Sequence, residues 1–87
     1  MTRRFRVVLS DRAQRSLSAL DRPLQLRIAK ALRRLEVEPR RDPQVRRLIG
    51  SEQYRLRVGD YRILFEIEDD RLLVVVIEMG HRREVYR

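Results

Sequence analysis

Two strand-like runs on either side of Gly59-Asp60 constrain the fold more than any other feature of this sequence. In residues 54–58 apolar side chains alternate with arginines, and a second β-prone run fills residues 61–67. Period-two alternation is typical of a strand with one covered face, and Gly-Asp between two such runs predicts a β-hairpin. The chain is therefore expected to contain an antiparallel sheet whose register is set by this turn.

The predicted turn brings three arginines onto one face of the hairpin. A two-residue loop places Arg57 directly opposite Arg62. It also places Arg55 opposite Leu64, on the same face. The other face is apolar and suits a covering layer of helices; it carries Tyr54, Leu56, Val58, Tyr61, Ile63, Phe65 and Ile67. Like charges at about 5.5 Å repel by roughly 0.8 kcal/mol in bulk water and about 3 kcal/mol at an effective dielectric constant of 20. Either the guanidinium groups splay into solvent beside acids such as Glu66, or this face binds an anion.

The segment before the hairpin predicts a strand and two helices. Residues 5–9 favour a β-strand, and Ser10 offers a hydroxyl N-cap for a helix with apolar positions 13, 17 and 20. Asp21 caps a second helix, which has Pro23 in its first turn. The apolar positions 24, 28, 32 and 35 of this helix form one stripe opposite its basic side chains. The two helices are expected to form a helical hairpin.

Two further segments complete the predicted fold. Residues 38–47 are expected to form an exposed loop, because two prolines interrupt the segment and little in it is apolar. Residues 72–77 are apolar at every position, which is typical of a central strand covered on both faces, and residues 81–87 suit a short strand or an extended tail. The element order β-α-α-β-β-β predicts one small α+β domain over residues 1–87. In it an N-terminal strand and a helical hairpin pack on one face of a twisted, mainly antiparallel sheet.

Charge and composition limit the classes of function. The formal net charge is +8, from 21 basic and 13 acidic residues, and all basic residues but Lys30 are Arg. This balance favours a polyanionic partner such as nucleic acid, although the arginine bias can equally reflect genomic base composition. The absence of cysteine excludes a disulfide scaffold, a thiolate zinc site and a cysteine nucleophile. With no signal peptide and no apolar run of about 20 residues, we expect a cytoplasmic protein without membrane contact.

The C-terminal residues add groups that suit a phosphodiester on a stacked base. His81, Arg82, Arg83 and Tyr86 combine an imidazole, two cations and an aromatic face in one short span. Each of them alone has an ordinary explanation as a solvated or core residue. Their combination with the arginine hairpin makes them candidate site residues.

Four segments carry a more specific pattern, which reads YRLR at 54–57, GDYR at 59–62, IEMGHR at 77–82 and VY at 85–86. Together with the order β-α-α-β-β-β, this pattern resembles the RelE/ParE toxin superfamily of bacteria and archaea, and within it the RelE branch. The resemblance covers nearly the whole chain. It implies a RelE-like fold and a toxin of a type II toxin–antitoxin system.

The resemblance to RelE-type toxins implies a reaction and roles for particular residues. Such toxins cleave mRNA in the ribosomal A site, where the mRNA 2′-hydroxyl attacks the adjacent phosphate, and they need neither metal nor cofactor. Arg55 and Arg57 stand where the family has two lysines near the scissile phosphate, and Arg62 stands where an arginine stabilises the transition state. Arg82 stands where an arginine assists the leaving oxygen, and Tyr86 where a tyrosine stacks on or orients the base.

Arginine at the two lysine positions departs from the family pattern. A guanidinium group hardly loses its proton near neutral pH, so Arg55 and Arg57 are poor general bases. Histidine is the side chain that most readily titrates near pH 7, and His81 is the only histidine of the chain. We therefore predict His81, ahead of Tyr86, as the base or proton shuttle. Additional RNA contacts are predicted for Arg47, Arg83 and Arg87.

The resemblance also implies partners and leaves alternatives open. The implied partners are a cognate antitoxin from a neighbouring gene, the ribosome with its mRNA, and operator DNA only indirectly through the antitoxin. ParE-like members of the superfamily inhibit DNA gyrase by protein contact, and the fold does not separate them from RNases. A non-catalytic nucleic-acid-binding module would explain the charge, but not the terminal tyrosine.

Overall fold

A computed structural model describes residues 4–81, and the structural statements below concern these residues. Two helices, one 3₁₀ turn and five strands follow one another along the chain. They are β1 (Arg6–Leu9), α1 (Asp11–Ser18), α2 (Arg22–Arg34), the 3₁₀ turn (Pro39–Arg41), β2 (Val45–Arg47), β3 (Tyr54–Val58), β4 (Tyr61–Glu68) and β5 (Leu73–His81). The strands form one sheet in the order β1-β5-β4-β3-β2, with β1 parallel to β5 and the other neighbours antiparallel. The predicted α+β arrangement is confirmed, with one strand more than predicted.

Both helices begin where their capping residues were predicted. The Ser10 hydroxyl accepts a hydrogen bond from the Ala13 N–H at 3.0 Å, and the Asp21 carboxylate accepts one from the Leu24 N–H at 3.1 Å. The Ser10 hydroxyl also donates to the Ile77 carbonyl, which ties the start of α1 to β5. The helical hairpin covers one face of the sheet, and the buried side chains between the two layers form the core.

The predicted register of the hairpin is confirmed. Arg57 pairs with Arg62, and Arg55 pairs with Leu64. Gly59 has φ +58°, a left-handed conformation that glycine adopts without the steric penalty of a Cβ atom. The apolar face is turned to the helices; Leu56, Ile63 and Phe65 on it are fully buried.

The prediction of an exposed loop over residues 38–47 is confirmed for the exposure of most side chains, but it is wrong for Pro39 and Val45 and for the regular backbone of this segment. Pro39 is fully buried in the 3₁₀ turn, and Val45 is buried in β2, which pairs with β3. The guanidinium group of Arg40 donates to both carboxylate oxygens of Asp69, at 2.9 and 2.8 Å, and to the Tyr54 hydroxyl at 3.0 Å. These hydrogen bonds, those to Asp69 first, raise the pKa of Arg40 and attach the segment to the sheet. A strand of three residues is too short for its alternation to be recognised in the sequence.

Strand β5 lies in the interior of the sheet, between β1 and β4, as the apolar run predicted. It is longer than predicted, because pairing with β4 continues to His81. On the helix side Val74 and Val76 are fully buried, whereas Val75 on the other side is only half-buried. The expectation that this strand is covered on both faces is therefore met only in part. Within residues 4–81, neither helix has the length and apolar character needed to cross a bilayer.

The tie between α1 and β5 can be tested by replacing Ser10. Ser10→Ala removes the cap and the bond to Ile77, and we expect the free energy of unfolding to fall by about 1–2 kcal/mol. Urea unfolding followed by circular dichroism measures this loss. The matched control is Ser18→Ala, because the exposed Ser18 hydroxyl donates to the Gln14 carbonyl of its own helix; its cost should stay below about 0.5 kcal/mol. Equal losses for the two variants would contradict the role given to Ser10.

Candidate functional site

Four arginines from three neighbouring strands lie on the side of the sheet turned away from the helices. Arg46 of β2 pairs with Arg55 of β3, and Arg57 of β3 pairs with Arg62 of β4. Cross-strand partners point to the same side of a sheet, so the four side chains share one surface. We call the surface formed by Arg46, Arg55, Arg57 and Arg62 the arginine face.

The four arginines differ in exposure, so the alternative in which all the hairpin guanidinium groups splay into solvent does not hold for Arg62. Arg46 and Arg57 are exposed and Arg55 is half-buried, but Arg62 is only 6% exposed. Its Nη1 donates to the Gly59 carbonyl at 2.9 Å and to the Tyr61 carbonyl at 3.1 Å. The guanidinium group therefore folds back onto the hairpin turn instead of extending into solvent.

Arg62 also carries an unsatisfied hydrogen-bond donor. Its Nε is buried and has no hydrogen-bond partner in residues 4–81. Leaving a buried donor without a partner costs about 1–3 kcal/mol, and more when the group is charged. A buried cation with an unused N–H can bind an anion at short range with little screening by water or salt. The unused donor makes Arg62 a candidate anion-binding residue of the arginine face.

A β-bulge determines which residues of β5 join the arginine face. Phe65 pairs with Val76 but Leu64 pairs with Glu78, so Ile77 is an extra residue on β5. The bulge places Glu78 on the arginine face, next to Leu64. The strand then continues with Gly80 opposite Arg62.

The same register places His81 on the other side of the sheet. His81 pairs with Tyr61, and their ring centroids are 6.1 Å apart in an edge-on arrangement. Since Tyr61 and Arg62 are consecutive on β4, their side chains point to opposite faces. His81 therefore does not join the arginine face, which contradicts the expectation that it stands beside the hairpin arginines.

Of the other residues that the sequence predicted for the site, one lies away from the arginine face and four lie outside the described residues. Arg47 alternates with Arg46 and so points away from the arginine face; its Nε donates to the Ser51 carbonyl at 3.3 Å, and its Nη2 lies 4.0 Å from Glu52 Oε1. Arg46, which the sequence analysis did not single out, lies on the arginine face instead. Outside the described residues lie Arg82, Arg83, Tyr86 and Arg87.

A basic groove adjoins the arginine face at the hairpin turn. It is a shallow depression of about 420 Å³ between α2 and the turn, and its basic side chains are Arg27, Lys30, Arg34 and Arg57. Its other lining residues are Ala31, Gln44, Val58 and Gly59, none of them acidic. We call this depression the basic groove; Arg57 belongs both to it and to the arginine face.

Not all cations of the basic groove are equally available. The Nε of Arg34 donates to Asp42 Oδ2 at 2.8 Å, and the Asp42 side chain is only 5% exposed. Burial of Asp42 opposes its ionisation, but hydrogen bonds from Arg34 and from the Gln44 N–H outweigh this and hold the pKa of Asp42 below its ordinary value. Arg34 is thus already paired with a carboxylate. The exposed cations of the groove left for a ligand are Arg27, Lys30 and Arg57.

This combination of fold and surface defines a class of protein. One face of the sheet is buried under a helical hairpin, the other face presents four arginines, and the groove beside them is basic. The class is a small α+β protein with a basic sheet face, a charge distribution that attracts polyanions.

Comparison with known proteins gives the family. The model of the family described as ParE toxin of type II toxin-antitoxin system, parDE, matches residues 7–86. The chain therefore belongs to this family, within the RelE/ParE toxin superfamily. Toxin RelG of Mycobacterium tuberculosis is 38% identical to it over 45 residues, which are 52% of this chain and 49% of RelG. The match thus spans about half the length of that relative.

Several solved structures share the fold. The toxin–antitoxin complex RelBE2 from Mycobacterium tuberculosis matches with a TM-score of 0.78 and 26% identity, over 91% of this chain and 92% of that one. The archaeal RelE–RelB complex from Pyrococcus horikoshii OT3 gives a TM-score of 0.79 and 25% identity, over 94% and 97%. The isolated E. coli RelE toxin, at 23% identity and a TM-score of 0.75 over 90% and 83%, shows the likeness of fold alone.

The contribution of Arg62 to stability shows whether it is a site residue or a structural residue. Arg62→Met removes a buried charge and keeps most of the side-chain volume, and we expect the free energy of unfolding to change by less than about 1 kcal/mol or to rise. Leu64→Ala, at a 7% exposed neighbour on the same face, should cost about 2–4 kcal/mol. Thermal and urea unfolding measure both. If Arg62→Met were as costly as Leu64→Ala, Arg62 would be a structural residue.

Proposed function

We propose that this chain is a ribosome-dependent mRNA endoribonuclease that cleaves in the A site and thereby stops translation and growth. The observation that carries the proposal is the arginine face, with the buried and partly unsatisfied guanidinium of Arg62 on β4, beside the hairpin turn. Membership of a toxin family whose fold matches RelE toxins supports the same proposal. No cofactor or metal enters the proposed reaction.

The proposed mechanism is attack of the mRNA 2′-hydroxyl on the adjacent phosphate, which leaves a cyclic phosphate and a 5′-hydroxyl. Negative charge accumulates on the phosphate oxygens in the transition state, and fixed cations stabilise it without reorganising. Arg46, Arg55 and Arg57 bind the backbone, and Arg62 stabilises the reacting phosphate. From the family resemblance, Arg82 would assist the leaving oxygen and Tyr86 would stack on or orient the base.

The proposed partners are the ribosome with its mRNA and a cognate antitoxin. The similar structures from Mycobacterium tuberculosis and Pyrococcus horikoshii are complexes of a toxin with its antitoxin. An antitoxin of this chain is expected to be acidic where it covers the arginine face, because a chain with a net charge of +8 attracts acidic segments. Contact with operator DNA would then come through the antitoxin.

A second candidate function is inhibition of DNA gyrase. The matching family model carries the ParE name, and the fold is compatible with either activity. A gyrase inhibitor acts by protein contact and has no need of a desolvated arginine on its surface. The unsatisfied Nε of Arg62 therefore favours the nuclease.

One pair of assays tests the nuclease proposal. Purified protein is added to translating ribosomes and the mRNA is analysed by primer extension, beside a gyrase supercoiling assay. We expect A-site cuts without gyrase inhibition, and Arg62→Ala should lower the cleavage rate at least about 100-fold. The matched control is Arg71→Ala, an exposed arginine that pairs with Glu68 at the opposite end of the hairpin and should cleave like the wild type. Gyrase inhibition without cuts would support the ParE-like alternative, and salt-dependent nucleic-acid binding with neither activity would support a plain binding module.

The basic groove gives a second test, of binding rather than chemistry. We expect the RNA backbone to extend from the arginine face into the groove, so Arg27→Ala/Lys30→Ala should weaken ribosome binding and reduce the slope of log affinity against log salt by about 1–2. The control is Arg22→Ala/Arg33→Ala, which removes the same charge from exposed positions of α2 that do not line the groove. If the two double variants lost the same affinity and slope, only net charge would matter and the groove would have no part in binding.

A further inference from the structure

The proposed cleavage needs a proton acceptor for the 2′-hydroxyl, and the arginine face offers few. Guanidinium groups remain protonated in proteins, so the four arginines do not serve. The imidazole of His81 is on the opposite side of the sheet, paired with Tyr61. In residues 4–81, the strand carboxylates that the register places on the side of the arginine face are Glu66, Glu68 and Glu78.

We propose that the carboxylate of Glu78 accepts the proton of the attacking 2′-hydroxyl, an inference that rests on the nuclease function proposed above. Glu78 is a diagonal neighbour of Arg62, because Arg62 pairs with Gly80 and Glu78 lies two residues before it. Diagonal neighbours on one face have Cα atoms about 7–8 Å apart, within reach of two long side chains that hold one nucleotide between them. Glu66 lies four residues from Arg62 along β4, which is about 13 Å, and Glu68 lies farther still.

The β-bulge is what makes this placement possible. If the pairing continued without a bulge, Leu64 would pair with Ile77, and Glu78 would pair with Ile63 and point to the helices. The bulge instead turns the Glu78 carboxylate onto the side of the sheet that carries the four arginines. Bulges are common next to active sites, where they redirect a side chain.

The contacts of Glu78 leave its carboxylate available to accept a proton. Its Oε2 lies 3.3 Å from Nη1 of Arg12 at the start of α1, and the Glu78 side chain is 24% exposed while that of Arg12 is 72% exposed. An ion pair with so exposed a partner is weak and breaks readily. The other charges that face Glu78 from neighbouring elements are Arg62 of β4 and, beyond Leu64, Arg55 of β3.

The proposed step balances without any further reactant. The 2′-O–H proton passes to Glu78 as the 2′-oxygen forms its bond to phosphorus, and the bond from phosphorus to the 5′-oxygen breaks. The leaving 5′-oxygen takes up a proton delivered from water, and Glu78 later returns its own proton to water. The products are a 2′,3′-cyclic phosphate and a 5′-hydroxyl, with no net proton change.

The experiment is single-turnover cleavage of A-site mRNA on programmed ribosomes by the full chain. Glu78→Gln should lower the cleavage rate at least about 100-fold, the size of a general-base contribution. Ribosome affinity should be unchanged or higher, because the substitution removes a negative charge beside RNA. Glu78→Asp, which keeps the carboxylate on a shorter side chain, should cleave faster than Glu78→Gln. The matched control is Glu66→Gln, the same change of charge two positions further from Arg62 on the same face, which should stay within about 3-fold of the wild type.

Arg12→Ala separates a catalytic carboxylate from a structural ion pair. It removes the partner of Glu78 and leaves the carboxylate, so cleavage should stay within about 5-fold of the wild type. If Arg12→Ala lost as much activity as Glu78→Gln, the ion pair would account for the effect and the proposal would fall. It would also fall if Glu78→Gln, shown to be folded by its melting temperature, cleaved within about 3-fold of the wild type. Failure of the wild type itself to cleave is a different result, which overturns the nuclease function and the proposal with it.

Discussion

The pairing of β3 with β4 across Gly59-Asp60 is the constraint on which the rest of this structure depends. A slip of one residue would turn every side chain of one strand to the other face of the sheet. In the observed register Leu56, Ile63 and Phe65 are fully buried beneath the helices. Because the arginines alternate with these residues, burying the apolar set obliges the charged set to share the opposite side. Packing of the helices against the apolar side thus determines which residues lie on the arginine face.

This arrangement brings together charges that repel one another. Arg46 faces Arg55, and Arg57 faces Arg62, so two like pairs lie side by side. Because each pair has one buried or half-buried member, its repulsion reaches about 3 kcal/mol at an effective dielectric constant of 20, whereas full burial of each Leu, Ile or Phe side chain contributes about 1.5–3 kcal/mol. The apolar side of the same two strands can therefore outweigh the repulsion on the other. Burial in the core thus compensates for the repulsion on the arginine face. Selection for stability alone would have placed acidic residues among these arginines.

The sequence was sufficient for those parts of the fold that repeat over several residues. Alternation in the hairpin and the two-residue turn leave one pairing possible, and the caps Ser10 and Asp21 mark both helix starts. It was insufficient where one residue decides the outcome. The run 72–77 is apolar throughout, so it contains no polar residue to mark the phase of the strand, and the bulge at Ile77 could not be located. The side taken by Glu78 and His81 depends on that bulge. Arg46 was missed because its strand has only three residues.

The exposed and the buried arginines of this surface are suited to different tasks under the proposed function. Exposed cations such as Arg57, together with those of the basic groove, attract RNA over a distance of about one Debye length, and salt weakens them. Arg62 is 6% exposed, and salt has little effect on its interaction with a phosphate in direct contact. Because Arg57 lines both the groove and the face, a backbone bound in the groove is led directly to Arg62. Under the proposed function, the exposed arginines supply binding energy that positions the scissile phosphate at Arg62. The interaction of Arg62 with the phosphate is the one that exclusion of water strengthens most. One small domain can in this way combine affinity and chemistry.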